Sequence, residues 1–420
     1  MASALVQVSP SDADSRCEGA FGAECGRVPN RVAYHEPEGT RNVRTLHYSQ
    51  SGGFSGSIGR ELDSERTLVL VFASPEFDSN RAPLDTIADA FSNSVVVGCS
   101  TAGEIVGTRL ADHSLSIAIV RFDRTDLALA TAEVRQSEDS YAAACSIARQ
   151  LSRPDLRGIL VLSDGLNING SELARGFRAA LPPDVTVTGG LAGDGSRFAH
   201  TWVLSRGRTG ERIVAAVGFY GEHVQIGHGS QGGWDIFGPE RLVTRAQKNV
   251  LYELDGKPAL ELYKRYLGDR ANALPAAALL FPLSLRTSEG DSEPIVRTVL
   301  AIDEAEQSMT FAGDLPEGSR ARLMHANLDR LVQGASQAAA GGARMATSDR
   351  TLAIAISCVG RRLVLGERTE EEIEAALDAL PSGSQQVGFY SYGELCPQNG
   401  ASCCELHNQT MTITTISERN

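Results

Sequence analysis

Three cysteines and a histidine lie close together near the C-terminus, within the segment 396–407. Thiolate and imidazole groups suit zinc or another metal that tolerates soft ligands. Cys358 ends an apolar run whose predicted neighbour in a parallel sheet leads into this segment, so its sulfur should reach the same edge. The sequence therefore predicts a metal site, with structural or redox-active thiols as the alternative. Its candidate ligands are Cys358, Cys396, Cys403, Cys404 and His407.

A second candidate site comes from a motif that occurs three times, in which an apolar strand enters a glycine-bearing turn that ends in an acid. The copies are VVVGCSTAGE (95–104), VTVTGGLAGD (185–194) and QVGFYSYGE (386–394). Backbone N–H groups in such turns can bind an anion, and the acids can bind an amine. The alternative is that the glycines permit positive φ and the acids cap backbone amides. The ligand-binding candidates are Gly98, Gly103, Glu104, Gly193, Asp194, Gly393 and Glu394, together with Arg361 at the same strand edge as the cysteines.

The repeat is longer than the turn, which favours an architecture of equivalent units. Each unit has an upstream apolar run, a segment with helical spacing, the strand and turn, and then a third strand. A histidine followed by a small polar residue introduces the third strand in two units, so we expect His113 and His407 to be equivalent. The apolar runs are 67–73, 158–163 and 351–357; the helices are 84–91, 173–181 and 370–380; the third strands are 115–122, 213–220 and 411–416.

An enzyme is the rival class of function. Cys99 follows a strand, and His113 and Glu104 lie nearby in the sequence, so a Cys/His nucleophile pair is conceivable. The positions equivalent to Cys99 in the other units are Gly189 and Phe389, so the repeat does not reproduce this chemistry. We therefore expect no enzymatic activity.

Composition excludes several classes of protein. The net charge of -13 opposes sequence-independent binding to nucleic acid. No apolar run approaches the roughly 20 residues that cross a bilayer, and the first 20 residues lack the pattern of a signal peptide. Eight cysteines in a cytosolic chain of this length favour thiols or metal ligands over a disulfide framework. We expect a cytoplasmic protein without a membrane segment.

The chain is long enough for two or three domains. Residues 1–40 are rich in small, polar and charged residues without periodicity, which predicts a flexible N-terminal arm. A change of pattern near 248 predicts domains at 41–248 and 249–420. In the second domain we expect a strand at 250–254, a helix at 258–267, strands at 295–302 and 309–312, and a long helix at 323–346.

Several segments together resemble FIST domain proteins, in both the FIST N and FIST C halves, over roughly residues 60–417. They are VGCSTAGEI (97–105), SDGLN (163–167), GGLAGDG (189–195), VLYELDGKPALELY (250–263), SCVGRR (357–362), GFYSYGE (388–394) and HNQT (407–410). The resemblance implies a sensory domain that binds a small molecule and reports to a signalling protein, such as a histidine kinase or a cyclic-dinucleotide enzyme. Some similar proteins are haem-containing nitric oxide sensors. If haem is bound here, His113 and His407 are the candidate axial ligands.

These observations predict an α/β protein with a two-domain FIST-like architecture, built from repeated strand-helix-strand-turn-strand units. The predicted function is signal transduction: occupancy by a ligand, or by a metal or haem, is reported to a separate protein. Zinc and haem are the cofactors considered. The alternatives are a Cys-dependent enzyme and a metal-stabilised interaction scaffold.

Overall fold

The computed structural model describes residues 42–274, 276–286, 294–346, 351–398 and 404–419. The predicted N-terminal arm and Cys403 lie outside these ranges. In the part that is described, no helix combines the length and apolar character needed to cross a membrane.

The first unit is a strand-helix-strand structure followed by a hairpin and a return strand. Thr67–Ala73 is buried throughout, as expected for a strand covered on both faces. The elements are β1 (Val43–Ser49), β2 (Gly53–Phe54), β3 (Thr67–Ala73), α1 (Ala82–Ala90), β4 (Val95–Ser100), β5 (Glu104–Val106), β6 (Arg109–Ala111) and β7 (Ser114–Arg121).

The second unit repeats this order with one additional helix. Its central helix begins where the Asn169 side chain accepts a hydrogen bond from the backbone N–H of Glu172, and it buries Leu173 and Phe177. The elements are β8 (Asp126–Glu133), α2 (Ser140–Leu151), β9 (Leu156–Ser163), α3 (Gly170–Ala180), β10 (Thr186–Leu191), β11 (Val203–Ser205), β12 (Arg208–Gly210) and β13 (Ile213–Tyr220).

The third unit begins with β14 (Val224–Gln231) and is interrupted by an inserted domain, residues 235–325. This domain has its own core, which includes Leu251, Leu260 and Phe311. The elements are β15 (Asp235–Gln247), β16 (Val250–Leu254), β17 (Lys257–Pro258), α4 (Ala259–Leu267), β18 (Leu283–Arg286), β19 (Ile295–Arg297), β20 (Val299–Asp303), β21 (Ser308–Phe311) and β22 (Arg320–His325). The strand order of its sheet is β19-β18-β22-β15-β16-β21-β20.

After the insertion the third unit resumes with a long helix that packs on β14. Backbones approach closely there: a Cβ on Gly229 would overlap the carbonyl oxygen of Ala338. The elements are α5 (Leu328–Ala343), β23 (Leu352–Cys358), α6 (Val359–Leu365), α7 (Thr369–Asp378), β24 (Gln385–Ser391), β25 (Gly393–Pro397), β26 (Cys404–His407) and β27 (Met411–Glu418).

The three units exchange hairpins in a cycle. Each unit forms one sheet from its two parallel strands and its return strand, and the hairpin at the edge comes from a neighbouring unit. The β11–β12 hairpin of the second unit pairs with β4, β25–β26 of the third pairs with β10, and β5–β6 of the first pairs with β24. At the other end of the strand order, away from the exchanged hairpins, β1, β8 and β14 pair with the return strands β7, β13 and β27. The result is a pseudo-threefold arrangement of three mixed sheets.

A shared hydrophobic core lies between these sheets. It includes Leu70 from β3, Leu160 from β9 and Ile354 from β23. The rings of Phe72 and Phe389, from different units, have centroids 4.7 Å apart. Burying each such side chain contributes about 1.5–3 kcal/mol, so the core stabilises all three units together.

A glycine occupies the same position in the second parallel strand of each unit. Gly98, Gly189 and Gly388 lie directly opposite Val71, Val161 and Ala355 in the neighbouring strand. The counterpart of Cys99 in the second unit is therefore Gly190 and not Gly189 as predicted. A Cβ on Gly98, Gly189 or Gly388 would overlap the facing carbonyl oxygen. These glycines therefore permit close strand contact. Gly98, a candidate ligand-binding residue, has this packing role.

The α/β class and the repeated unit are confirmed, while two details differ from the prediction. The helix predicted over 323–346 starts only at Leu328, because residues up to His325 belong to β22. The strand predicted over 295–302 is two strands that pair with different partners. The domains predicted at 41–248 and 249–420 remain a prediction, although β14 and β27 form one sheet across that boundary.

We expect Gly98→Ala and Gly388→Ala each to lower the free energy of unfolding by about 3 kcal/mol, at the upper end of the usual cost of overpacking, because the added methyl meets rigid backbone. Gly56→Ala is the control: Gly56 is exposed, and its Cβ would meet only the Leu46 side chain at 3.4 Å. Denaturant unfolding of the three variants measures the difference. Equal stabilities would contradict the packing role.

Candidate functional site

The three glycine-acid turns meet at the pseudo-threefold centre. Each turn donates a backbone hydrogen bond to the next, which closes a ring. The bonds run from Ala102 N to Tyr390 O (2.8 Å), from Tyr392 N to Leu191 O (3.1 Å) and from Gly193 N to Ser100 O (3.0 Å). The convergence expected from the repeat is therefore present, and these backbone amides are already hydrogen-bonded.

The remaining turn glycines also have local roles. The N–H of Gly103 faces the Thr101 hydroxyl at 3.3 Å, and its carbonyl accepts from Tyr390 N at 2.9 Å. Gly393 pairs with Leu191 in the second sheet. These turns therefore act as a junction between sheets. Ligand binding by Gly98, Gly103, Gly193 and Gly393 remains a prediction.

Two of the turn acids are buried in equivalent positions. Glu104 accepts bonds from the hydroxyls of Ser74 and Thr101 and from both the N–H and the hydroxyl of Ser114. Glu394 likewise accepts from Ser391 and from the N–H and hydroxyl of Thr410. Burial raises the pKa of Glu104 to about 7 and that of Glu394 to about 8, although the hydrogen bonds oppose the shift. Each acid fixes the start of a return strand.

In the second unit, Asp164 is the buried acid that fixes the start of the return strand. It was not among the predicted site residues. Its buried carboxylate accepts from the Thr201 hydroxyl at 2.7 Å and from Arg212 N at 2.6 Å, just before the return strand. Asp194 instead binds the backbone amides of residues 198–200 and the hydroxyl of Tyr392. It therefore organises the loop whose Phe198 stacks on Tyr392, at 4.5 Å between ring centroids.

Arg361 is fully buried and binds only protein groups. Its Nε and Nη2 donate to the carboxylate of Glu372, at 3.0 and 2.7 Å. The other donors reach the carbonyls of Gly232, Leu331 and Gln409. All five guanidinium N–H groups therefore have protein acceptors. Arg361 ties α6 and α7 to both chain crossings of the inserted domain, and contact with a ligand remains a prediction.

The candidate metal ligands do not converge in the described residues. Nowhere in those ranges do three or more His, Cys, Asp or Glu side chains form a group that could hold a metal ion. His407 Nε2 lies 2.9 Å from the carbonyl oxygen of Cys396, while Cys396 Sγ lies 3.9 Å from His228 Nδ1. Burial lowers the pKa of His407 to about 4, so its ring is neutral. Cys358 and Cys404 are buried thiols on different strands. Because Cys403 is not described, the metal site remains a prediction.

The two residues of the predicted nucleophile pair, one of which is also a haem candidate, lie in different environments. His113 is largely exposed and its Nδ1 lies 2.5 Å from Glu76 Oε1. Cys99 is fully buried in the shared core, and burial raises its pKa well above the ordinary thiol value. No hydrogen bond joins His113 to Cys99 in the described structure. A buried neutral thiol is a poor nucleophile.

The expected equivalence of His113 and His407 is wrong. Just before the return strand, each unit has one non-glycine residue with positive φ: His113 at 54°, Arg212 at 57° and Gln409 at 58°. The next residue, Ser114 or Thr410, bonds the buried acid of its unit. The counterpart of His113 is therefore Gln409. His407 lies two residues earlier, within β26.

This comparison reveals a difference between the units at the turn before the return strand. Units one and two carry the exposed charged pairs Asp112–His113 and Glu211–Arg212. The third carries Asn408–Gln409, and both residues are buried, at 1% and 0% exposure. Among the residues that the structure describes, both polar atoms of the Asn408 side chain and the Oε1 of Gln409 lack a hydrogen-bond partner. We call residues 407–410 the third-unit turn.

The inserted domain covers this turn. Trp234 Nε1 donates to the Gln409 carbonyl at 2.7 Å, and Gln409 Nε2 donates to the Leu279 carbonyl at 3.4 Å. Sequence patterns did not indicate Asn408 and Gln409 as chemical groups, although HNQT is among the segments that carry the family resemblance. A register-based comparison would have shown uncharged amides where the other units have charges.

The fold and the repeated turns agree with the comparison to protein families. The FIST N domain matches residues 67–257 and the FIST C domain matches residues 259–397, so the chain belongs to the FIST family. FIST domains are sensory domains of signal transduction and commonly occur with signalling proteins.

Other comparisons add little. No curated protein matches the chain. Among solved structures, it is similar to cyanuric acid hydrolase from A. caulinodans, with 9% identity and a TM-score of 0.32 over 90% of this chain and 99% of that one. This TM-score is too low to support an inference about activity.

We expect Arg361→Met to lower the free energy of unfolding by about 3–5 kcal/mol, because Glu372 is left buried without its cation. Arg368→Met is the matched control. Its partners Asp329 and Glu371 are exposed, so the loss should be much smaller than for Arg361→Met. Chemical denaturation tests both variants, and similar losses would show that Arg361 is no structural tie.

We expect Glu394 to make stability depend on pH. Its folded pKa of about 8 exceeds the ordinary value of 4.5, so the folded state holds a proton that the unfolded chain releases. Stability from this group is present at low pH and falls as pH rises to 8, by up to about 1.4 kcal/mol per pH unit. Glu394→Gln should remove this part, so its stability relative to the natural protein should increase from pH 5 to pH 8.

The pH range from 6.5 to 8 is the most informative for this test. His407, with its pKa lowered to about 4, acts in the opposite sense only below pH 6.5. The exposed Glu367→Gln is the control and should follow the natural protein at every pH. If the free energies of unfolding of Glu394→Gln and of the natural protein change equally with pH, Glu394 does not hold the expected proton.

Proposed function

We propose that this protein is a small-ligand sensor of signal transduction whose ligand binds at the third-unit turn. The observation that carries the proposal is the Asn408 side chain, which is buried and whose amide nitrogen and oxygen have no hydrogen-bond partner in the described part of the chain. The ligand pairs with this amide and alters how the inserted domain is held against the turn. A separate signalling protein reads the change.

An unpaired buried amide is costly to the folded protein. Leaving such a group without hydrogen bonds costs about 1–3 kcal/mol. The equivalent positions, Asp112 and Glu211, are exposed and do not bear this cost. The fold therefore does not require a buried amide there. A ligand that hydrogen-bonds Asn408 recovers the cost on binding, which favours the bound form.

The turn is connected to the inserted domain in a way that supports signalling. The Gln409 carbonyl accepts from Trp234, where the chain enters this domain, and from Arg361. Arg361 also holds Gly232 before the insertion and Leu331 after it. A shift of the third-unit turn on ligand binding would therefore move the chain at both ends of the inserted domain. Ligand occupancy changes the balance between two placements of the inserted domain.

The proposed partner is a separate signalling protein. Membership of a sensory family supports a signalling protein, and a histidine kinase or a cyclic-dinucleotide enzyme are the expected kinds. The partner distinguishes the two placements by differential affinity, which is the requirement for allosteric coupling.

We expect Asn408→Leu to separate ligand binding from stability. Because leucine has a similar shape and needs no hydrogen bond, the unliganded variant should be as stable as the natural protein or more stable, by up to about 3 kcal/mol. A compound that raises the unfolding temperature of the natural protein should have no effect on the variant. Thermal unfolding against a panel of small polar metabolites measures both.

Glu211→Leu, at the exposed equivalent position, is the matched control and should keep the full response to the compound. If Asn408→Leu destabilises the unliganded protein by more than about 2 kcal/mol, the amide serves the fold and the proposal fails. It fails also if no metabolite in the panel stabilises the natural protein.

A further inference from the structure

Arg297 is a buried cation beside the third-unit turn. It is the last residue of β19 and is only 3% exposed. Its Nη1 donates to the carbonyl of Leu406, at 3.0 Å, one residue before that turn begins. Further bonds reach the carbonyls of Val296 and Asp314. The guanidinium therefore joins the inserted domain to the strand that leads into Asn408.

The backbone makes room for this side chain. Gly313 has φ of 140°, and a Cβ there would lie 2.9 Å from Arg297 Nε. The chain can therefore wrap round the guanidinium and present carbonyl oxygens to Nε and Nη1. Within the described residues no acceptor bonds Nη2. One edge of the guanidinium remains free to donate.

Among the described residues, no carboxylate forms a salt bridge with Arg297. Asp314 and Glu405 are the acids that influence it from a distance. Asp314 accepts instead from Asn169 at 3.4 Å, and Glu405 pairs with Arg178. Burial lowers the pKa of Arg297 to about 10, but the group is still cationic at neutral pH.

We propose that the ligand of this site carries an anionic group, a carboxylate or a phosphate, which binds the free Nη2 edge of Arg297. The proposal rests on the function proposed above and specifies its ligand class. A charge-assisted bond of this kind is about twice as strong as a neutral one. Asn408 then recognises a neighbouring hydrogen-bonding group of the same ligand.

The amide of the third-unit turn is compatible with this ligand class. Asn408, whose side-chain amide has no hydrogen-bond partner among the described residues, offers hydrogen bonds to an anionic ligand that also carries polar groups. A purely apolar ligand would leave the cation and this amide unpaired.

The test uses sodium acetate, inorganic phosphate and acetamide as probes of the full chain at constant ionic strength. Acetamide has the shape of acetate without its charge. Titration calorimetry and thermal unfolding compare the natural protein with Arg297→Met. We expect acetate or phosphate to bind the natural protein at least about tenfold more tightly than Arg297→Met, and acetamide to bind both equally. The preferred anion identifies a carboxylate or a phosphate ligand.

Two further variants make the result decisive. Arg265→Met removes an exposed arginine of the same domain, paired with Glu261, and should keep the natural affinity for the anion. Should Arg297→Met not fold, Arg297→Lys retains the charge but loses the planar fork, and its affinity should fall about tenfold. Unchanged anion affinity in the Arg297 variants, or no anion binding by the natural protein, overturns the proposal.

The outcomes distinguish this inference from the function on which it rests. If the anions fail while an uncharged metabolite stabilises the natural protein but not Asn408→Leu, the ligand is neutral and the sensor function stands. If neither anions nor metabolites stabilise the natural protein, both are wrong.

Discussion

The ion pair between Arg361 and Glu372 is the interaction on which the third unit depends. Both side chains are fully buried, and such a pair is tolerated only when hydrogen bonds satisfy its remaining groups. Glu372 also accepts from Ser357 and Tyr390, while Arg361 reaches three carbonyls. The pair thus joins the strand ends, the helices behind them and the two points where the inserted domain leaves and rejoins the unit. Because both side chains are shielded from water, no solvent molecule can replace a lost hydrogen-bond partner. The positions of the groups around the ion pair are therefore tightly constrained.

The three units share a framework and differ in what covers it. In each, a glycine admits a neighbouring carbonyl, a buried carboxylate receives the start of the return strand, and a residue with positive φ precedes that strand. Positive φ at Gln409 is therefore a property of the fold, since His113 and Arg212 share it without being buried. What is particular to the third unit is the cover of the inserted domain, under which amides replace charges and Arg297 is enclosed. Function is best sought in such departures from symmetry.

Local patterns in the sequence predicted much of the framework and little of its assembly. Apolar runs such as Thr67–Ala73 announce buried strands, and the glycine-acid motif identified the units. The exchanged hairpins were not foreseen, because Gly190 and Glu394 meet through pairing that no local pattern encodes. Asp194 aligns with the other acids in sequence, but an additional loop follows it. In the second unit it is therefore Asp164 that binds the start of the return strand. In sequence, Arg361 resembles an exposed anion-binding residue. Its burial could not be predicted, because it results from the packing of helices in the folded chain.

The cyclic exchange of hairpins also bears on how this chain is made. The second sheet is closed by β25 and β26, and the third by β27, all from the last part of the sequence. As the chain leaves the ribosome, the edge of β10 stays unpaired until those strands emerge, and an unpaired edge can associate with other chains. The units therefore cannot complete their sheets one after another during synthesis. A chain that ended before β25 would leave β10 with an unpaired edge that is open to association with other chains.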